Sequence, residues 1–237
     1  MKTILKVNFF FYIVFLIAIF TGNFKFFITI TLITIFHELG HILTGLMFKY
    51  HIEEIRVMPF GLVTIFNKKI NEPFLKDLLL TLAGPLFQIF LFVFINDLQV
   101  KELNKFLLFF NLLPIIPLDG SKILNLLLEN FFSYKQAYTL TFVISILSLI
   151  LLIRRNLLVL IIVFLYSIYN YKYIKNIYYY FNKFLLERYL NKINYRQTNN
   201  INGRKMKKMK KFRKNIFISS KIIENEEDFL NVMFDNR

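Results

Sequence analysis

The chain has 237 residues, of which 56% are hydrophobic, and it contains 30 Phe and 13 Tyr but no Trp and no Cys. A soluble domain of this length is usually less apolar, so the composition favours an integral membrane protein. The absence of Cys excludes disulfides and thiolate chemistry. The formal charge is +15, and 16 of the 30 Lys and Arg lie from Lys172 onward, against six Asp and Glu in the same region. This basic tail predicts contact with anionic lipid rather than with nucleic acid, since no nucleic-acid-binding module is recognisable.

Six apolar segments predict about six transmembrane helices, each judged against the roughly 20 residues that cross a bilayer. They lie at about residues 4–21, 26–48, 76–96, 104–128, 138–153 and 156–171. The first is interpreted as a retained span, because no A-x-A-like cleavage site follows it. Only Arg154, Arg155 and Asn156 separate the last two, which favours a tight helical hairpin over one re-entrant element. The predicted fold class is therefore an all-α polytopic membrane protein.

The distribution of basic residues predicts cytoplasmic termini. An even number of spans places both termini on one side, and most of the basic residues fall there together with the tail. These residues are Lys2, Lys6, Lys49, Arg56, Lys68, Lys69, Lys76 and Lys135. The opposite side holds only Lys25, Lys101, Lys105, Arg154 and Arg155. The positive-inside rule favours this orientation.

The connection after the second span, "KYHIEEIRVMPFGLVTIFNKKINEP", predicts a small re-entrant β region. Its alternating apolar residues, interrupted by Pro59 and Gly61, are typical of short strands around a turn. Residues 1–175 are predicted to form the membrane-embedded domain. Residues 176–214 are predicted to form a basic juxtamembrane helix and a solvated or lipid-contacting linker, which includes "NGRKMKKMKKFRK". Residues 215–237 predict a short tail of one strand and one helix, too small for a core of its own.

The stretch "HELGH" places His37, Glu38 and His41 inside an apolar segment. Because residues four apart lie on one face of a helix, both imidazoles can bind one Zn²⁺, with Glu38 beside it to take a proton from a bound water. A buried structural histidine pair is the alternative, but it leaves Glu38 without a role. Polar and charged groups are costly in lipid, and a metal ion is the best available partner for them.

A catalytic zinc ion needs a third protein ligand and one open position. His51 lies past the end of the second span, and Glu53 and Glu54 are more typical of surface charges. Asp119 is the favoured candidate, because two prolines in "NLLPIIPLDGSK" break helical hydrogen bonding and unwound backbone at membrane depth must face protein or a water cavity. An alternative role for Asp119, as the N-cap of the next helix, is compatible with ligation.

Three ordered motifs carry a resemblance to a known family. They are "HELGH", "AGP" at residues 83–85 and "NLLPIIPLDG" at residues 111–120. Over roughly residues 5–190 the chain resembles the site-2 protease family of intramembrane zinc metalloproteases. "RVMPFG" and "FLLERY" are similar to the sporulation branch of that family.

The resemblance implies a site and an activity. His37, His41 and Asp119 correspond to the zinc ligands, with one zinc ion per chain. Glu38 corresponds to the water-activating base, and Asn111 to the asparagine that positions substrate or water. The implied activity is that of a zinc metalloendopeptidase carrying out regulated proteolysis of a membrane-associated substrate.

The implied substrate is a sporulation sigma factor precursor, with membrane inhibitor proteins as further partners. The implied location is the bacterial cell membrane, at the outer forespore membrane if the sporulation role holds. Two alternatives stay open: a general site-2 protease that cleaves anti-sigma factors or signal-peptide remnants, and a non-catalytic metal-binding membrane scaffold. The sequence departs from the family pattern at Ser121, which follows Gly120 in place of a second glycine, and in "PFGL". The tail supplies at most the first strand and helix of the nucleotide-sensing CBS domain that is usual in the sporulation branch.

Overall fold

The computed structural model describes residues 4–58, 61–153, 159–192, 195–219 and 223–235. By contacts the chain divides into two compact units, Met1–Lys68 with Leu75–Leu112, and Lys69–Phe74 with Leu113–Arg237. The first unit contains β1 (Ile4–Val7), α1 (Phe9–Phe20), α2 (Phe24–Met47), β2 (His51–Met58), β3 (Gly61–Asn67), α3 (Phe74–Leu91) and α4 (Leu98–Asn111). The second contains α5 (Asp119–Phe131), α6 (Tyr134–Ile153), α7 (Val159–Lys175), α8 (Ile177–Asn191), β4 (Thr198–Asn202), β5 (Lys214–Ile218), β6 (Ile223–Asn225) and α9 (Glu226–Asp235).

Three of the described helices are long and apolar enough to cross a membrane by length and composition. They are Phe24–Met47, Phe74–Leu91 and Tyr134–Leu151, and a shorter apolar helix covers Phe11–Phe20. The prediction of a mostly helical membrane protein is confirmed, whereas a total of six spans stays a prediction. The predicted hairpin turn at residues 154–156 lies outside the described residues.

The N-terminal segment differs from its prediction as a helix from about residue 4. Residues 4–7 form β1, which pairs in parallel with β2 from Ile4 opposite Glu54 to Val7 opposite Val57. The Nζ of Lys6 lies 3.2 Å from Oε1 of Glu54. Pairing with β2 satisfies the backbone of this short aliphatic segment without helical hydrogen bonds, so the helix begins only at Phe9.

The strands predicted after the second span are confirmed as β2 and β3. They pair antiparallel, with Met58 opposite Gly61, and the order β1-β2-β3 places β2 in the centre of the sheet. The predicted turn residue Pro59 lies outside the described residues. A re-entrant position of this sheet in the membrane stays a prediction.

The predicted fourth span is interrupted, as its prolines indicate. Helix α4 ends at Asn111 and α5 begins at Asp119, with no helix in residues 112–118 between them. Leu118, with extended backbone, holds the N-cap position of α5. Asp119 is therefore not the N-cap but the first helical residue, where the helix dipole favours a carboxylate.

The second unit has a core shared by α8, the end of the chain and one residue of α6. Strand β5 pairs in parallel with β4 and antiparallel with β6. The buried side chains of this core are Tyr134, Phe181, Phe184, Leu185, Ile201, Met209, Phe217, Phe229 and Leu230. The tail thus packs its apolar residues onto α8 instead of enclosing a core of its own, in agreement with its small size.

The basic segment before β5 is only partly solvated, which differs from the prediction. Met209 is fully buried in this core, and Lys211 is buried with its Nζ 3.0 Å from Oε2 of the buried Glu129. A buried lysine requires such a partner, and no signal near Lys211 in the sequence indicates Glu129.

Candidate metal centre

His37 and His41 lie one turn apart on α2, and both side chains are buried. Their Nε2 atoms are 3.2 Å apart, and the ring planes meet at 75°. The helical spacing predicted from "HELGH" therefore does bring the two ring nitrogens together at one point.

The hydrogen-bond partner of Nδ1 in each imidazole ring identifies the tautomer of that ring. Nδ1 of His41 lies 2.8 Å from the Leu80 carbonyl oxygen, which can only accept a hydrogen bond. Nδ1 of His37 lies 3.0 Å from Oε1 of Gln88. The amide of Gln88 is oriented by its own Nε2, which donates to the Asn104 carbonyl at 3.1 Å. Both Nδ1 atoms therefore carry the proton, and both Nε2 atoms present a lone pair.

Two Nε2 lone pairs that face each other across 3.2 Å fit a shared zinc ion. Zinc binds imidazole nitrogen at about 2.0–2.1 Å with tetrahedral angles, which places two such nitrogens about 3.3 Å apart. Metal-ligating histidines usually donate their other N–H to a carbonyl or carboxylate, as both do here. Nε2 of His37 and Nε2 of His41 are thus the atoms that would hold the metal.

Small residues of α3 leave space beside the two nitrogens. A Cβ at Gly84 would lie 2.3 Å from Nε2 of His41 and 2.6 Å from Nε2 of His37. One at Gly40 would lie 2.4 Å from the Ala83 carbonyl oxygen, so α2 and α3 approach closely through small residues. The "AGP" motif therefore contributes the helix surface that borders the ligand atoms.

Glu38 is buried next to the histidine pair in sequence and is held by the sheet. Its Oε1 accepts a hydrogen bond of 2.7 Å from the backbone N–H of Thr64 in β3. Because β2 occupies the other side of β3, this N–H lies on the outer edge of the sheet. The contact fixes one carboxylate oxygen of Glu38 and with it the orientation of the side chain.

The alternative ligands lie elsewhere in the first unit. His51 is an exposed residue at the start of β2. Glu54 pairs with Lys6 and with Nε of Arg56 at 2.8 Å, and hydrogen bonding by the Arg56 guanidinium lowers the pKa of Glu54. Glu54 is half-buried and its carboxylate is occupied by two cationic side chains, so it is an ion-paired residue of the sheet.

The remaining predicted residues belong to the ends of α4 and α5. Asn111 is the last residue of α4 and is half-buried. Asp119 lies in the second unit, where it is buried and its Oδ1 is 2.7 Å from Nζ of the exposed Lys122. The metal-ligand role of Asp119 and the positioning role of Asn111 stay predictions.

Sequence reasoning missed Gln88, Asn104 and Thr64. Gln88 and Asn104 are uncharged polar residues within apolar or amphipathic helices, and both are fully buried. The cost of polar groups in lipid that singled out "HELGH" applies to these amides too, and it is the signal that would have found them. Thr64 acts through its backbone, which no side-chain pattern reveals.

Known proteins resemble the chain in sequence and in fold, although no family model matches it. The chain is 32% identical to Stage IV sporulation protein FB of Bacillus subtilis (strain 168) over 143 residues, which are 55% of this chain and 50% of that protein. It is 28% identical to a zinc metalloprotease of Methanocaldococcus jannaschii over 126 residues, which are 47% of this chain and 36% of that protein.

The solved Site-2 Protease from Methanocaldococcus jannaschii has a similar fold, with a TM-score of 0.55 at 22% identity over 73% of this chain and 91% of that one. This chain thus shares the fold of a site-2 protease and, over about half of its length, sequence similarity with a sporulation protein and a zinc metalloprotease. The resemblance predicted from its three motifs is thereby confirmed. The chain spans half or less of the length of either curated relative that it matches.

Proposed function

We propose that the chain is an intramembrane zinc endopeptidase that hydrolyses a peptide bond of a membrane-associated protein. The observation that carries the proposal is the pair of buried imidazoles whose Nε2 atoms face each other at 3.2 Å, each with its Nδ1 engaged by a carbonyl oxygen. One curated relative, named as a zinc metalloprotease, and the solved structure, named as a site-2 protease, support the proposal.

The proposed metal ligands are His37, His41 and Asp119, each of which is buried and offers one ligand atom. Zinc accepts carboxylate oxygen beside imidazole nitrogen, and a site of three protein ligands leaves a fourth position open. Asp119 fits the role because it is a buried carboxylate at the first turn of α5 whose charge is offset by cations, of which Lys122 is one. Asn111, at the end of the preceding helix, is proposed to position the substrate or the attacking water.

A bound zinc ion would supply the electrophile that polarises the scissile carbonyl and lowers the pKa of its water. Glu38 is proposed to take the proton of that water and deliver it to the leaving amine. Since the Thr64 N–H holds Oε1 of Glu38, we assign the proton to Oε2. The low exposure of these side chains keeps bulk water away from the reacting groups.

The substrate must present an extended segment, because a helical peptide bond is shielded by its own turn. The free edges of the N-terminal sheet belong to β1 and β3. We assign substrate pairing to the β3 edge, since Thr64 on that edge contacts Glu38. We propose a sigma factor precursor as the substrate, the outer forespore membrane as the location and membrane inhibitor proteins as further partners, and the similarity to a relative named as a sporulation protein supports a role in sporulation.

The proposed orientation has six spans, cytoplasmic termini and a re-entrant β1–β3 sheet. The exposed basic residues before β5, including Lys207 and Lys208, are proposed to contact anionic lipid at the cytoplasmic face. The alternative substrates are anti-sigma factors and signal-peptide remnants, which the same metal centre would also process.

Co-expression with membrane-tethered candidate precursors tests the proposal. Wild type is compared with Glu38→Gln, which keeps side-chain size and the Thr64 contact but removes the base. Glu102→Gln is the matched control, since Glu102 is an exposed carboxylate on α4. Loss of general-base assistance should slow processing by about 10²–10⁴-fold in Glu38→Gln alone. Equal processing by wild type and Glu38→Gln would leave the non-catalytic scaffold as the better explanation.

A further inference from the structure

Two fully buried amides, Gln88 on α3 and Asn104 on α4, lie behind His37. We propose that Gln88, fixed in place by Asn104, is a positioning residue that sets the tautomer and ring orientation of His37 for metal binding. The inference rests on the proposed zinc site. It assigns to both amides a role that lies outside the ligand set and the general base.

The two residues form a reciprocal pair of hydrogen bonds between helices. Nε2 of Gln88 donates to the Asn104 carbonyl at 3.1 Å, and Nδ2 of Asn104 donates to the Gln88 carbonyl at 3.2 Å. Each side chain thus bonds to the backbone of the other residue, which ties α3 to α4 at one register. The side-chain amide of Gln88 is left with one orientation, in which Oε1 faces Nδ1 of His37 at 3.0 Å.

The buried amides of Gln88 and Asn104 lower the stability of the fold. Both side chains have zero exposure, and Oδ1 of Asn104 has no hydrogen-bond partner among the described residues. A buried amide with an unsatisfied oxygen is less favourable than two apolar side chains of the same shape. Two apolar side chains of the same shape would avoid this cost, so the amides indicate a role beyond packing.

The two histidines differ in the group that accepts the hydrogen bond of Nδ1. His41 donates to the backbone carbonyl of Leu80, whereas His37 depends on the side chain of Gln88. Without the Gln88 amide, Nδ1 of His37 would lose this acceptor and the ring could place its proton on Nε2 instead, where it would prevent zinc binding. Zinc affinity should therefore depend on whether the side chain at position 88 can accept a hydrogen bond, and not on the size of that side chain.

Zinc retention of the purified full chain against a chelator series tests this. Gln88→Met removes the acceptor at similar volume and should weaken zinc binding by about 10–100-fold. Gln88→Glu keeps an acceptor for Nδ1 of His37 and should retain zinc close to the wild-type level. Thr81→Val is the matched control, since Thr81 is a buried residue of the same helix whose hydroxyl, among the described residues, bonds to the Asp77 carbonyl within α3. It should leave zinc affinity unchanged.

Thermal stability of the metal-free protein separates positioning from packing. Gln88→Glu places a charge in a buried position and should melt at a lower temperature than Gln88→Met, although it binds zinc more tightly. The visible spectrum of the Co²⁺-substituted protein should change in Gln88→Met and not in Thr81→Val. The inference is supported if Gln88→Glu binds zinc more tightly than Gln88→Met but melts at a lower temperature.

Three outcomes would overturn it: wild-type zinc affinity in Gln88→Met, a Co²⁺ spectrum unchanged by that substitution, or parallel losses of zinc and stability in both variants. If Gln88→Met does not fold, the comparison of Gln88→Glu with wild type decides the inference. A loss of zinc affinity in Gln88→Glu as large as the loss expected for Gln88→Met would then refute it. A wild-type protein that binds no zinc would instead refute the proposed function itself.

Discussion

Substitution of Gly84 by Ala adds a single methyl group next to the Nε2 atoms of His37 and His41, the proposed zinc ligands. The new Cβ would lie 2.3 Å from Nε2 of His41 and 2.6 Å from Nε2 of His37. Ordinary contacts between carbon and nitrogen are longer than about 3.4 Å, so each imidazole must move by about 1 Å to relieve the overlap. The expected consequence is loss of the 3.2 Å arrangement of the two Nε2 atoms.

Gly84→Ala is expected to change zinc affinity more than it changes folding stability. Disturbing the orientation of one ligand weakens metal binding by about 10–100-fold, and displacing two should exceed that range. In the metal-free protein, replacing a helical Gly by Ala stabilises by about 1 kcal/mol, while overpacking costs about 1–3 kcal/mol. Gly84→Ala should therefore fold with only a modest loss of stability and bind zinc at least about 100-fold more weakly.

The assay is competition for zinc with a chromophoric chelator, together with thermal denaturation of the metal-free protein. Gly45→Ala is the matched control on α2, because its Cβ would lie 2.4 Å from the Phe66 ring and no ligand atom is among its nearest neighbours. It should lower stability and leave zinc affinity unchanged. Zinc affinity of Gly84→Ala equal to that of wild type would refute the placement of the metal between the two Nε2 atoms.

Three further predictions follow from contacts of the sheet and the tail. Thr64→Pro removes the N–H that holds Glu38, the proposed general base. A hydrogen bond to a charged group is worth about 1.5–3 kcal/mol, so turnover should fall by about 10-fold with zinc content unchanged. Unaltered turnover would contradict the positioning role of Thr64. Lys211→Met leaves Glu129 as a buried charge without its ion-pair partner and should lower the free energy of unfolding by about 3–5 kcal/mol. Denaturation measures this loss against Lys208→Met, a control at an exposed lysine. Equal stability of the two variants would exclude a structural ion pair. A cysteine introduced at Lys208 should be labelled only from the cytoplasmic side and one at Arg155 only from outside; labelling of both from one side would exclude a crossing between the last two predicted spans.

The part of the site predicted from the sequence is the part that local periodicity determines. His37 and His41 are four residues apart, so one helix brings them together whatever surrounds it. The cost of polar groups in lipid then singled out both histidines and Glu38 as functional residues. The same reasoning predicted the interruption before Asp119, because proline removes helical hydrogen bonds locally.

Contacts between elements distant in sequence were not predictable. Gln88 meets Asn104 because α3 and α4 are neighbours, and nothing in the spacing of the sequence shows which helices pack together. Strand β1 is not predictable from its own residues, since "ILKV" runs directly into an apolar helix and its partner β2 lies beyond α2. Lys211 belongs to a run of basic residues that resembles a solvated segment, and only the fold shows its partner Glu129.

Metal analysis of the purified wild-type protein, with His41→Ala as its comparison, tests the metal centre most directly. Wild type should carry about one zinc ion per chain, as expected for a site of three protein ligands and one open position. His41→Ala should lose most of the metal, because it removes one of the two Nε2 atoms that face each other at 3.2 Å. Equal zinc content in both proteins, or none in the wild type, would contradict the metal centre on which the proposed peptidase depends.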